Sequence, residues 1–87
     1  MIKGKLKNGF EYTVDEDVFN DMELIDAIRD SMGKDPTRVS DVVDKVLGDN
    51  KQKLYDLLRN EQGRVPADAV ADSISEIISS AGEAGKN

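Results

Sequence analysis

The N-terminal segment alternates apolar and polar residues on both sides of Asn8-Gly9, and this alternation constrains the fold more than any other feature of the chain. Alternation is the period of a half-buried strand, and Asn-Gly is a frequent hairpin turn. A two-residue Asn8-Gly9 loop would place the apolar residues of the two strands on opposite faces, because successive side chains point to opposite sides of a strand. A three-residue loop that also includes Lys7 brings them to one face.

We therefore predict a hairpin over about residues 2–14 with a three-residue loop, and with Gly9 in the left-handed conformation of a G1 bulge. Lys5 and Glu11 then oppose each other on the polar face. The predicted inward-facing pairs are Leu6 with Phe10, Gly4 with Tyr12 and Ile2 with Val14. A lone hairpin is only marginally stable, so its apolar face must pack on helices.

Four later segments carry apolar residues at helical spacing and predict helices. They cover about residues 21–32, 36–47, 50–61 and 66–79. The predicted N-terminal caps are Asn20 or Asp21 for the first helix, Asp35 ahead of Pro36 for the second, and Asp49 or Asn50 for the third. The predicted apolar face of the first helix is Met22, Leu24, Ile25, Ile28 and Met32, and that of the third is Leu54, Leu57 and Leu58.

The predicted fold is therefore α+β and mostly α, with the N-terminal hairpin packed on a cluster of four short helices. Residues 1–80 are expected to form a single globular domain. Residues 81–87 lack an apolar anchor and are expected to form a flexible, disordered C-terminal tail.

The composition excludes several function classes. The chain has no histidine and no cysteine, so the usual nucleophile–base dyads and zinc sites are absent, and we expect no enzyme, metal, cofactor or small-molecule substrate. The net charge of −6 disfavours nucleic acid and anionic lipid as partners. No apolar stretch is long enough to span a membrane and no signal peptide is apparent, so the cytoplasm is the expected location.

Candidate contacts with a partner protein lie in the second half of the chain. Tyr55 is adjacent to the Leu54/Leu58 stripe and is expected to be half exposed. The fourth helix has an apolar face that is most simply core, but its C-terminal end could present an exposed apolar patch to a partner. The predicted partner-binding residues are Tyr55, Ile74, Ile77 and Ile78.

The order of these signals resembles a known family, the small tail assembly chaperones of phages and prophages, of the type found in siphophages of Gram-positive bacteria. The resemblance covers about residues 4–80, and its strongest parts are the runs VDEDVFNDMELIDAI and LLRNEQGRVP. It implies a non-enzymatic protein that binds the long, helical, apolar tape measure protein and keeps it soluble during tail assembly. It also implies a location in the host cell cytoplasm rather than in the finished virion, and makes a homo-oligomer possible.

The alternative function is a small acidic phage-type regulatory protein that binds a host protein, conceivably by mimicking DNA. This alternative predicts acidic residues held on one exposed face at a phosphate-like spacing. The chaperone instead predicts apolar surface on an acidic body.

Overall fold

A computed structural model describes the backbone of residues 1–33 and 37–84 and the side chains of residues 1–30 and 37–81. The chain is mostly helical, and an N-terminal antiparallel hairpin packs on the helices, as predicted. The strands are β1 (Ile2–Lys5) and β2 (Glu11–Val14), and the helices are α1 (Met22–Gly33), α2 (Thr37–Leu47), α3 (Lys51–Leu58) and α4 (Ala67–Ala84). The predicted start of the second helix at Asp35-Pro36 lies outside the described residues.

The hairpin has the predicted register. Its strand pairs include Ile2 opposite Val14, Gly4 opposite Tyr12 and Lys5 opposite Glu11. The Leu6 N–H donates to the Phe10 carbonyl at 2.8 Å, and the Gly9 N–H donates to the Leu6 carbonyl at 2.9 Å. Gly9 has a φ of 96°, so both the three-residue loop and the left-handed glycine are confirmed.

The hairpin loop is bonded to α4. The Lys7 N–H donates to Glu76 Oε2 at 3.2 Å, and the Asn8 amide donates to Ser73 Oγ at 3.1 Å. Ser73 is buried and in turn donates to the Ala69 carbonyl, so its hydroxyl is satisfied in both roles. These bonds join residues about 65 positions apart and position the apolar face of the hairpin over the helices.

One core connects all the main elements. β1 packs against α4, and β2 packs against α2. The largest fully buried side chains come from the hairpin and from each of the four α-helices, and they are Leu24, Leu54, Ile77, Val14, Val42 and Val43. Tyr12 is also in the core, as predicted.

Ion pairs join α1 to α2 near both ends of their contact. Lys45 Nζ lies 3.7 Å from Asp21 Oδ2, and Arg38 Nε lies 3.4 Å from Asp30 Oδ2. Arg38 Nε lies within ion-pair distance of Asp30, but its N–H donates no hydrogen bond within the described residues. Asp21 also caps α1, because its Oδ1 accepts from the Glu23 N–H at 2.9 Å.

Three element boundaries differ from the prediction. The segment after β2, where no element was predicted, forms a 3-10 helix at Glu16–Phe19, with the Asp15 carboxylate accepting from the Asp17 N–H. α4 continues beyond residue 79 to Ala84, and Ala81 is fully buried, so the fourth helix is longer than predicted. Residues 85–87 of the predicted flexible tail lie outside the described residues.

The third difference is the early end of α3 at Leu58 rather than near residue 61. Asn60 there begins a tight turn with the same bonding as the hairpin loop. Its N–H donates to the Arg64 carbonyl at 2.8 Å, and its carbonyl accepts from the Gly63 N–H at 3.0 Å. The Asn60 Oδ1 also accepts from the Gln62 and Arg64 N–H groups, so asparagine and glycine turn chemistry outweighs helix propagation.

Gly4 is required by the close packing of the hairpin on itself. A Cβ atom at this position would lie 2.5 Å from the Cζ atom and 2.7 Å from the Cε1 atom of Tyr12, whose ring is buried. We predict that Gly4→Ala lowers the free energy of unfolding by about 1–3 kcal/mol, as overpacking does. This loss exceeds the roughly 0.4–1 kcal/mol that alanine gains by restricting the unfolded chain.

Chemical denaturation of the variant tests this prediction, with Lys5→Ala as the matched control because Lys5 is the exposed neighbour on the same strand. An unfolding free energy for Gly4→Ala equal to that of the parent chain would contradict the packing described for Tyr12.

Candidate partner-binding surfaces

The four residues predicted to contact a partner lie in different environments. Ile74 is 4% exposed and Ile77 is 0% exposed, so both belong to the core and neither is available at the surface of the folded chain. Ile78 and Tyr55 are half-buried and pack against that core. Only Tyr55 and Ile78 therefore remain as predicted partner contacts.

Tyr55 lines a shallow groove of about 400 Å³ between α2, α3 and the start of α4. The lining of the groove is largely apolar and includes Val39, Val65, Ala67 and Val70. Its polar lining residues are Ser40, Gln52 and Arg59. The groove could accept a small apolar side chain beside a hydrogen-bonding group.

A series of hydrogen bonds lies along one edge of this groove. The Asp56 carboxylate accepts from the Gln52 amide at 3.0 Å and from the Arg59 guanidinium at 3.1 Å, and Arg59 also donates to the Gly63 carbonyl. Two hydrogen bonds hold the pKa of Asp56 below its ordinary value, and the bond from Gln52 has a larger effect than the bond from Arg59. The charge of Arg59 is thus balanced by Asp56, and its side chain is held in place by these bonds. Among the described residues, the groove therefore has no cation without a partner.

A second surface lies on α1, where two large apolar side chains are exposed. Met22 is 69% exposed and Ile25 is 47% exposed. They are three residues apart on one helix and are therefore neighbours on its surface. The predicted apolar face of the first helix is therefore not one buried stripe, since Met22 and Ile25 lie at the surface, and the side chain of Met32 lies outside the described residues.

The core face of α1 is formed instead by Leu24 and Ala27, both 0% exposed. On a helix this pair lies roughly opposite to Met22 and Ile25. Ala27 was not predicted to be in the core because the prediction considered only large apolar side chains. A small side chain can also belong to the core, since it allows closer contact between helices. The acids could have indicated the correct rotation, since Asp21 and Asp30 face bases of α2.

The third helix also exposes an apolar residue that was predicted to be buried. Leu57 is 49% exposed, while Leu54 is fully buried and Leu58 is half-buried. Leu57 is a single exposed side chain, and isolated exposure of this kind is common on protein surfaces. It has no exposed apolar neighbour at helical spacing, so α1 carries the only such pair among the described side chains.

The acidic residues around α1 are partly neutralised. Arg29 lies between Asp26 and Asp30, at 3.8 Å and 3.5 Å, and the ion pairs with α2 use further carboxylates. DNA mimicry requires rows of free carboxylates, and this pairing does not favour it. No ion pair in the described part of the chain involves Glu23, while Asp21 pairs with Lys45 and Asp26 with Arg29, so the acidic surface beside Met22 is only partly compensated.

Comparisons of the chain with protein-family models, with curated proteins and with solved structures found no match. Among the described residues, none group as a metal-binding cluster, and no helix is long and apolar enough to cross a membrane. The family resemblance therefore rests on the sequence pattern.

The different burial of two adjacent isoleucines gives a direct test of their placement. We predict that Ile77→Ala lowers the free energy of unfolding by about 2–5 kcal/mol, because it leaves a cavity in a fully enclosed site. Ile78→Ala is the matched control and should cost clearly less, because the Ile78 side chain is only half-buried. Denaturant unfolding curves measure both, and equal losses would place the boundary of the core elsewhere.

Proposed function

We propose that this protein is a non-enzymatic phage or prophage tail assembly chaperone that binds an apolar helical segment of the tape measure protein. The observation that carries the proposal is the exposed pair Met22 and Ile25 on an otherwise acidic surface. The family resemblance names the partner, and the exposed pair supplies a surface on which such a partner could dock.

The physical demands of this role agree with the surface of α1. A chaperone that keeps an apolar chain soluble needs apolar contacts that adapt to several sequences, and methionine is unbranched and flexible enough to provide them. It also needs a charged body that resists association of the complexes with one another. Met22 and Ile25 meet the first demand, and the net charge of −6 meets the second.

Tyr55 and Ile78 remain predicted partner contacts, but they lie outside α1 and are half-buried. Tyr55 lines the groove beside α3, and aromatic residues in such positions often contribute strongly to binding. A long helical partner could reach both surfaces, but the proposal depends on α1, since its apolar pair is the more exposed.

Co-expression of the full chain with the tape measure protein of the same phage genome tests the proposal. The soluble fraction of the tape measure protein is the measurement, and the parent chain should raise it. We predict that Met22→Ser combined with Ile25→Ser weakens binding by about tenfold or more and lowers that soluble fraction, because both contact side chains are lost. Neither substitution disturbs the core, since both side chains are exposed.

Leu57→Ser is the matched control, because it removes an exposed apolar side chain from α3 and leaves α1 unchanged. This variant should solubilise the tape measure protein as well as the parent chain does. A parent chain without effect on the soluble fraction would contradict the proposed function. A double variant as effective as the parent chain would show that α1 is not the contact surface.

A further inference from the structure

We infer that the segment that docks on α1 is a basic amphipathic helix, with an apolar row that covers Met22 and Ile25 and a parallel row of lysine or arginine residues. The inference rests on the proposed function and specifies the chemistry of the partner at that same surface. It is carried by the arrangement of charge around the exposed pair.

Two rows run side by side along the exposed side of α1. The apolar row is Met22 and Ile25, three residues apart. The acidic row is Glu23, Asp26 and Asp30, at spacings of three and four residues, so its members are also neighbours on the helix surface. A partner helix that packs along α1 would therefore meet apolar side chains on one side and carboxylates on the other.

The apolar pair alone is too small to hold a partner. Two partly exposed side chains cover far less than the roughly 800 Å² that each partner buries in a stable protein interface. The rest of the contact must come from the surrounding surface, which on the side of Glu23 and Asp26 is acidic. Glu23 makes no ion pair in the described part of the chain, so a partner without basic residues would bury or approach this carboxylate without compensation, which disfavours binding.

The local charge favours a basic partner. Residues 15–30 carry seven acids and one base, Arg29, so their net charge is −6. Arg29 is shared between Asp26 and Asp30, and the two α2 bases near this helix pair with Asp21 and Asp30. Glu23 remains without an ion pair in the described part of the chain, so basic residues of the partner have a clear position to occupy.

The basic outer face of the hairpin in a second copy fits less well. Lys3 and Lys5 are exposed on the outer face of the hairpin, but Glu11 opposes Lys5 there and the remaining strand residue of that face is Thr13. This face offers charge but no apolar row to cover Met22 and Ile25. A helix with both rows matches the surface more completely.

Three synthetic helical peptides of about 18 residues test the inference. All share one leucine row at helical spacing, and the flanking row is lysine, glutamine or glutamate. Binding to the full chain is measured by titration calorimetry at about 50 mM and about 500 mM NaCl, where the screening length falls from roughly 14 Å to roughly 4 Å. We expect the lysine peptide to bind about tenfold tighter than the glutamine peptide at low salt, and this advantage to fall below about threefold at high salt.

Two double variants that remove the same charge show which carboxylates cause the tighter binding of the lysine peptide. Glu23→Gln combined with Asp26→Asn should remove the advantage of the lysine peptide and leave the affinity of the glutamine peptide nearly unchanged. Glu61→Gln combined with Asp72→Asn removes the same charge from exposed positions elsewhere and should retain the advantage.

The outcomes separate the inference from the proposed function. Equal affinity for the lysine and glutamine peptides, or tightest binding of the glutamate peptide, overturns the inference while binding of an apolar helix still stands. Failure of all three peptides to bind contradicts the proposed function at this surface. Sedimentation of the free chain as an oligomer that Met22→Ser with Ile25→Ser dissociates would also overturn the inference, because a second copy would then cover the pair.

Discussion

The apolar face of the N-terminal hairpin has to be covered, and the rest of the structure depends on how this is done. A two-stranded sheet is marginally stable at best in water on its own, so the face that includes Tyr12 and Val14 packs on helices. α2 and α4 provide that cover, and the bonds from the hairpin loop to Ser73 and Glu76 hold the two parts together. The inner face of α4, including Ile77, is buried by this packing and is not available to a partner.

This use of α4 explains why the available apolar surface lies elsewhere. An 87-residue chain has a small core, and the most buried side chains of that core come from each of the four α-helices and from the hairpin. α1 contributes through a narrow stripe centred on Leu24 and Ala27, which leaves its opposite side free. The exposed pair Met22 and Ile25 is thus a consequence of close packing between α1 and α2.

The sequence predicted those parts of the fold that a strict rule controls. The hairpin register follows from parity, since only a three-residue loop brings Leu6 and Phe10 to one face. The second helix was predicted correctly because its valines repeat at helical spacing and nearly all are buried. The prediction was wrong where two rules competed: a small Ala27 was passed over for larger residues in α1, and turn chemistry at Asn60 ended α3 early.

The candidate site was less predictable than the fold. Apolar residues on a helix predict burial in general, but which of them remain exposed depends on the rotation of the helix, and tertiary contacts decide that rotation. In α1 the ion pairs of Asp21 and Asp30 with α2 accompany a rotation that turns Ile25 outwards. A similar uncertainty applied to the fourth helix. Its apolar face was most simply core, but the position of Ile77 and Ile78 near the end of the helix suggested an exposed patch, and Ile77 is fully buried.

The proposed function depends above all on the docking of a partner on the exposed apolar pair of α1. Methyl NMR of the chain bound to the tape measure protein tests it most directly, because each methyl group reports on its own surroundings. We expect the Met22 and Ile25 methyl signals to shift on binding, while those of the buried Ile74 and Ile77 keep their positions. Shifts confined to Ile78, with Met22 and Ile25 unchanged, would contradict docking on α1.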